Sequence, residues 1–99
     1  MSLKLDANNF EQTVSQGVAL VDFYADWCGP CRMLATVIEE IAEERTDITV
    51  GKLNISDHPE IAANFGVVSI PTLILFKDGV EQKRIVGARP KKAILAELE

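Results

Sequence analysis

The chain has 99 residues, 47% of them hydrophobic, and a mean hydropathy of +0.11. That length fits one domain over residues 1–99 and leaves no room for a second; at this size roughly two-thirds of the unfolded surface can be buried without metals or staples. The balance of 10 basic against 15 acidic residues, a net charge of −5, argues against nucleic acid as a partner. The opening MSLKLDANNF has no apolar run of signal-peptide length and no window is apolar enough to span a bilayer, so the expectation is a cytoplasmic protein without membrane association.

Leu3 and Leu5 alternate in a short opening strand, after which Asp6 or Asn8 can cap a helix that carries Phe10 and Val14 one turn apart and ends at Gly17. Residues 18–24, VALVDFY, are apolar except for Asp22, the pattern of a strand covered on both faces. Met33, Leu34, Val37, Ile38, Ile41 and Ala42 then recur at helical spacing, with Glu39, Glu40, Glu43 and Glu44 on an opposite, solvated face. A strand over 48–55 completes a strand–helix–strand unit, which requires a parallel, right-handed crossover. Ser56 or Asp57 can cap a short helix with an exposed His58 at its entrance, Pro59 in its first turn and Gly66 behind it. Residues 73–77 and 80–86 flank Asp78-Gly79, a dipeptide that favours a tight antiparallel hairpin. Pro90 opens a last helix carrying Ile94, Leu95 and Leu98, with Arg89, Lys91 and Lys92 crowding the positive end of its dipole. The order predicts an α/β fold, a mixed sheet with helices on both faces.

The only two cysteines, in Cys28-Gly29-Pro30-Cys31, fall between the central strand and the long helix. Pro30 fits the first helical turn, and the unpaired N–H groups and positive dipole end there favour a thiolate, so Cys28 is expected to be the more acidic thiol. Cys31 follows within one turn and can resolve a mixed disulfide formed on Cys28 without a bimolecular encounter. A zinc site would need further ligands, and His58 alone is available, so zinc would require a second chain. A buried structural pair is the other alternative, against which Gly29 and Pro30 mark an exposed turn.

Asp22 lies inside an apolar strand, where a carboxylate is costly and its pKa rises, so it can move protons near neutrality. Lys52 lies in the adjacent predicted strand. The pair reads either as a proton relay serving Cys31 or as a structural ion pair. For Ile70-Pro71 the residues alone favour a trans bond, since only about one X-Pro bond in twenty is cis. Trp27 beside Cys28 serves either packing or the surface around the thiol.

Together, Asp22, Phe23, Trp27-Cys28-Gly29-Pro30-Cys31, Lys52, Ile70-Pro71-Thr72, Phe76, Gly79 and Gly87 resemble the thioredoxin family over nearly the whole chain. The resemblance implies the thioredoxin fold, a central mixed five-stranded sheet flanked by about four helices. It also implies a monomeric dithiol reductase of protein disulfides, recharged by a flavin thioredoxin reductase with NADPH as ultimate donor. The chain itself would bind no cofactor and no metal. By this resemblance Cys28 attacks, Cys31 resolves, Asp22 assists Cys31, Lys52 tunes Asp22, and Pro71 is cis, against the reading of the residues alone. Trp27, Gly29, Pro30, Ile70, Val86, Gly87 and Ala88 would join Pro71 in a small, weakly apolar surface for an extended substrate segment.

Three residues depart from the family pattern: Tyr24 where many bacterial members have Trp, Thr36 where the long helix usually has Pro, and Ser69 where Gly is common. With Thr36 the backbone N–H is available to Arg32, so a continuous helix from about Cys31 to Arg45 is expected. Two other functions compete. One is a binding module with incidental redox chemistry; the other is an oxidant or isomerase, which the Gly29-Pro30 pair and the lack of an export signal oppose.

Overall fold

Apolar residues at both odd and even positions of VALVDFY require cover on two faces, and the fold provides it. In the computed structural model, which describes residues 1–99, the elements are β1 (Leu3–Lys4), α1 (Phe10–Val14), β2 (Val18–Tyr24), α2 (Gly29–Glu44), β3 (Thr49–Asn54), α3 (Pro59–Asn64), β4 (Thr72–Lys77), β5 (Val80–Val86) and α4 (Lys91–Glu97). The sheet order is β1-β3-β2-β4-β5. β1, β3 and β2 run parallel, whereas β4 is antiparallel to β2 and β5 to β4. This is the mixed five-stranded sheet with four helices that the sequence predicted.

Alternate strand residues feed two cores. Val21, Phe23, Leu53, Ile74 and Phe76 pack with Phe10 and Val14 of α1 and Ile61 of α3. Leu20, Val50 and Leu73 pack on the other side with Leu34, Ile38 and Ile41 of α2 and Ile94 of α4. Each such side chain, when fully buried, contributes about 1.5–3 kcal/mol. Phe10, Phe23, Phe65 and Phe76 form an aromatic group in which Phe10 and Phe65 each meet the other three rings, at centroid distances from 5.3 Å (Phe65 to Phe76) to 6.4 Å (Phe10 to Phe23). No helix is long and apolar enough to cross a membrane.

Several local expectations change. The residue preceding α1 is Asn9, not Asn8; Asp6 caps the turn before it, its Oδ1 accepting the N–H groups of Asn8 and Asn9 while Asn9 Oδ1 accepts that of Asp6. The cap position of α3 is the half-buried His58, without a side-chain capping bond, in place of Ser56 or Asp57. Asn54 satisfies the turn instead, its carbonyl and Oδ1 accepting from the His58 and Ser56 N–H groups. The expected hairpin forms, with Asp78 at φ 50° and Gly79 at φ 87°, the mirror-image turn that matches strand twist. Asp78 also latches the hairpin to the α1–β2 connection: its N–H donates to the Gly17 carbonyl and its Oδ1 accepts from the Gly17 N–H, each at 2.8 Å.

The helix α2 runs uninterrupted through the exposed Thr36, as the missing proline predicted, and starts two residues before the expected Cys31. Its acidic face is not merely solvated. Lys91, at the unfavourable start of α4, bonds Glu44 and lies 3.2 Å from Glu40, so α2 supplies the negative charge that the end of α4 lacks.

Candidate active site

The central strand delivers the chain to the cysteines at the top of the sheet. β2 ends at Tyr24, a turn follows in which the Cys28 N–H donates to the Ala25 carbonyl, and Cys28 becomes the N-cap of α2 with extended backbone (φ −94°, ψ 111°). Pro30 occupies the first turn, where its missing N–H leaves no bond unmade. Cys28 Sγ accepts the Cys31 N–H at 3.2 Å, one of the orphan donors at the start of the helix. The two cysteines are joined in a disulfide with Cα atoms 5.2 Å apart. Once reduced, the same N–H and the positive helix end would favour a thiolate on Cys28.

The pair is more enclosed than the sequence suggested, since Cys28 is 5% and Cys31 3% exposed. The surface around it comes from neighbours. Trp27 is 71% exposed, with its indole N–H donating to Ser56 Oγ at 3.3 Å, while Gly29, Pro30, Val86 and Ala88 are exposed and Ile70 and Gly87 half-buried. The Ile70–Pro71 bond is cis, which corrects the trans reading of the residues alone. Pro71 itself is buried, its carbonyl accepting the Gly87 N–H at 2.8 Å. Cys28 Sγ lies 3.9 Å from the Ile70 carbonyl oxygen, so the proline loop and the cysteines meet at one spot.

Behind the disulfide lies a cavity of about 40 Å³ lined by Asp22, Tyr24, Cys31, Ala35, Ile38, Glu39 and Lys52, with room for a water molecule. Asp22 is 3% exposed and its Oδ1 has no hydrogen-bond partner. Burial pushes its carboxyl from 3.8 up to about 7, with the Lys52 ammonium pulling the other way.

Lys52 is the register partner of Asp22 on β3, as expected, but no ion pair joins them. Its ammonium pairs with Glu39 at 3.9 Å and lies 6.0 Å from the centre of the Tyr24 ring. Glu39 is in turn held by Ser2, whose N–H donates to Oε1 at 2.9 Å and whose hydroxyl donates to Oε2. Those two bonds hold the Glu39 carboxyl below the ordinary range, against its partial burial. Glu39, grouped by the sequence with the solvated acidic residues, instead lines this cavity. The signal was present: Cys31, Ala35 and Glu39 fall at i, i+4 and i+8, one stripe of a helix. No cluster of three or more His, Cys, Asp or Glu side chains is arranged to hold a metal ion.

The thioredoxin family model matches residues 1–99. The thioredoxin of Mycobacterium tuberculosis is 68% identical over 80 residues, covering 80% of this chain and 69% of that protein. A bifunctional thioredoxin reductase/thioredoxin of Mycobacterium leprae is 54% identical over 95 residues, which are 94% of this chain and 21% of that protein. Among solved structures, a mutant thioredoxin from Halobacterium salinarum superposes with a TM-score of 0.91 at 38% identity, covering 99% of this chain and 88% of that one. With a matching sheet, a paired Cys28 and Cys31 at a helix N-terminus and these relatives, the chain belongs to the thioredoxin family of dithiol–disulfide oxidoreductases.

Proposed function

We propose that the reduced chain donates two electrons to disulfides of other proteins, with Cys28 as nucleophile and Cys31 as resolving thiol. The Cys28 thiolate attacks one sulfur of the target disulfide, forming a mixed disulfide and releasing one target thiolate. Cys31 gives its proton to the Asp22 carboxylate, directly or through one water, and attacks Cys28 Sγ; the Cys28–Cys31 disulfide forms and the second target thiolate leaves. Asp22 then returns the proton. The observation that carries the reading is the Cys31 N–H to Cys28 Sγ bond at the mouth of α2, because in the reduced chain the same donor would favour a thiolate on Cys28.

Asp22 supports the proton role by sharing the cavity with Cys31 and by titrating at about 7. Lys52 tunes it through its positive charge. Trp27, Gly29, Pro30, Ile70, Pro71, Val86, Gly87 and Ala88 form the substrate surface, a patch suited to transient contact with an extended segment. Pro71 acts from beneath that patch, being buried. A flavin thioredoxin reductase drawing on NADPH regenerates the dithiol, a pairing that the fused Mycobacterium leprae relative supports.

Cys31→Ser should accumulate covalent complexes with disulfide-containing proteins such as insulin, whereas Cys28→Ser should trap far less. Iodoacetamide at neutral pH should label Cys28 of the reduced chain first. Faster labelling of Cys31 would reverse the two roles. Insulin reduction coupled to NADPH oxidation through a thioredoxin reductase tests the recharging step, and no turnover with several reductases would overturn it.

A further inference from the structure

We infer that Glu39 is a positioning residue for the buried carboxyl, holding the Lys52 ammonium at the solvent side of the cavity and so keeping it from closing on Asp22. Asp22 and Lys52 are register neighbours on adjacent parallel strands, and both line the cavity. The ammonium therefore has two carboxylates to choose between. It sits 3.9 Å from Glu39 and makes no ion pair with Asp22, whose Oδ1 is left without any hydrogen-bond partner. Glu39 is fixed for this task by a bidentate grip from Ser2, in which backbone N–H and hydroxyl each take one carboxylate oxygen.

An exposed lysine–glutamate pair contributes little to stability, and the side chains of Lys52 and Glu39 are 39% and 40% exposed. Its consequence lies inward, because charge beside a desolvated carboxyl is poorly screened. The groups around Asp22 are few. β3 offers Lys52, α2 offers Cys31 and Glu39, β2 offers Tyr24, and β4 presents the uncharged Leu73 as register partner. Asp26 and Asp57 act on Tyr24, and the amino terminus adds a weak attraction to Glu39. Lys52 is thus the one cation facing Asp22, and the residue that restrains it decides how far Asp22 is neutralised. The effect on turnover rests on the proposed proton exchange between Asp22 and Cys31; the restraint itself does not.

The test follows the Asp22 carboxyl by carbon-13 NMR against pH in the full oxidised chain. Glu39→Gln, which keeps shape and removes charge, should lower the Asp22 midpoint by roughly one unit as Lys52 turns inward. Glu39→Asp should restore most of the wild-type midpoint, and Ser2→Ala should give a smaller shift in the direction of Glu39→Gln. Lys52→Met should raise the midpoint, and the double variant Glu39→Gln/Lys52→Met should titrate like Lys52→Met alone, since Glu39 acts through Lys52. An unmoved midpoint in Glu39→Gln, or a shift that survives without Lys52, overturns the inference. The pH profile of the Cys31 resolving step separates this from the proton reading. If Asp22→Asn leaves that profile unchanged, the proton role fails while the NMR midpoints still judge Glu39; if the profile follows Asp22 but Glu39→Gln does not move it, Glu39 fails alone.

Discussion

Asp22 is the residue whose environment departs furthest from that of its type in water. Its carboxyl titrates at about 7 in the fold against an ordinary 3.8, because burial disfavours the charged form more than Lys52 favours it. An acid whose folded pKa is raised leaves stability intact below the unfolded value and removes it as pH climbs through the folded one. Over that window, from about 3.8 to about 7, the loss approaches roughly 4 kcal/mol. Asp22→Ala should therefore melt at a higher temperature than wild type at pH near 8, with the gap closing toward pH 4, as calorimetry across that range would show. An unchanged gap would remove the desolvation argument. The continuous apolar run around Asp22 made its burial legible in the sequence; its lack of a direct ion pair was not. Gly51 shows a similar limit. A Cβ there would lie 2.7 Å from Leu5 Cδ1, and Leu5 is 1% exposed. Gly51→Ala should then cost about 1–3 kcal/mol in urea unfolding through overpacking, in a strand where alanine would otherwise look harmless.

At the scale of elements, α2 does two jobs, presenting Cys28 at its start and covering the sheet with Leu34, Ile38 and Ile41. Its continuity through Thr36 follows from one available N–H, a feature legible from a single residue type. Because Thr36 is exposed and makes no side-chain hydrogen bond, Thr36→Ala should stabilise the chain by about half a kcal/mol through helix propensity alone. A larger change in denaturant unfolding would mean that the hydroxyl has a further role. The α2–α4 junction was not legible. Lys91 reads as a misplaced charge until Glu40 and Glu44, some fifty residues away, are seen around it. Lys91→Met should lower Tm at low ionic strength and leave it unchanged in high salt, since exposed pairs are screened.

Over the whole molecule the two cores share β2, β3 and β4, so neither helical layer has a sheet of its own to fold upon. Heat should therefore unfold residues 1–99 in one cooperative transition, with calorimetric and van't Hoff enthalpies equal. Phe76→Ala, at a residue that is 0% exposed within the aromatic group, should destabilise by about 3–5 kcal/mol without splitting that transition. Two separate transitions would show that the layers fold independently.

What the sequence determined by itself is what neighbours along the chain decide: the strands and helices from their periods, the hairpin from Asp78-Gly79, the cysteine pair at the start of a helix from Pro30, and the burial of Asp22 from the residues beside it. The family resemblance carried the cis Pro71, against the weight of local statistics. Tertiary structure alone decided which carboxylate Lys52 takes, what grips Glu39, where Lys91 finds its partners, and that Leu5 fills the space above Gly51. The division has one cause. Backbone conformation is set within a few residues by sterics and short hydrogen bonds, whereas a long charged side chain settles by competition among groups that only the folded chain brings within reach.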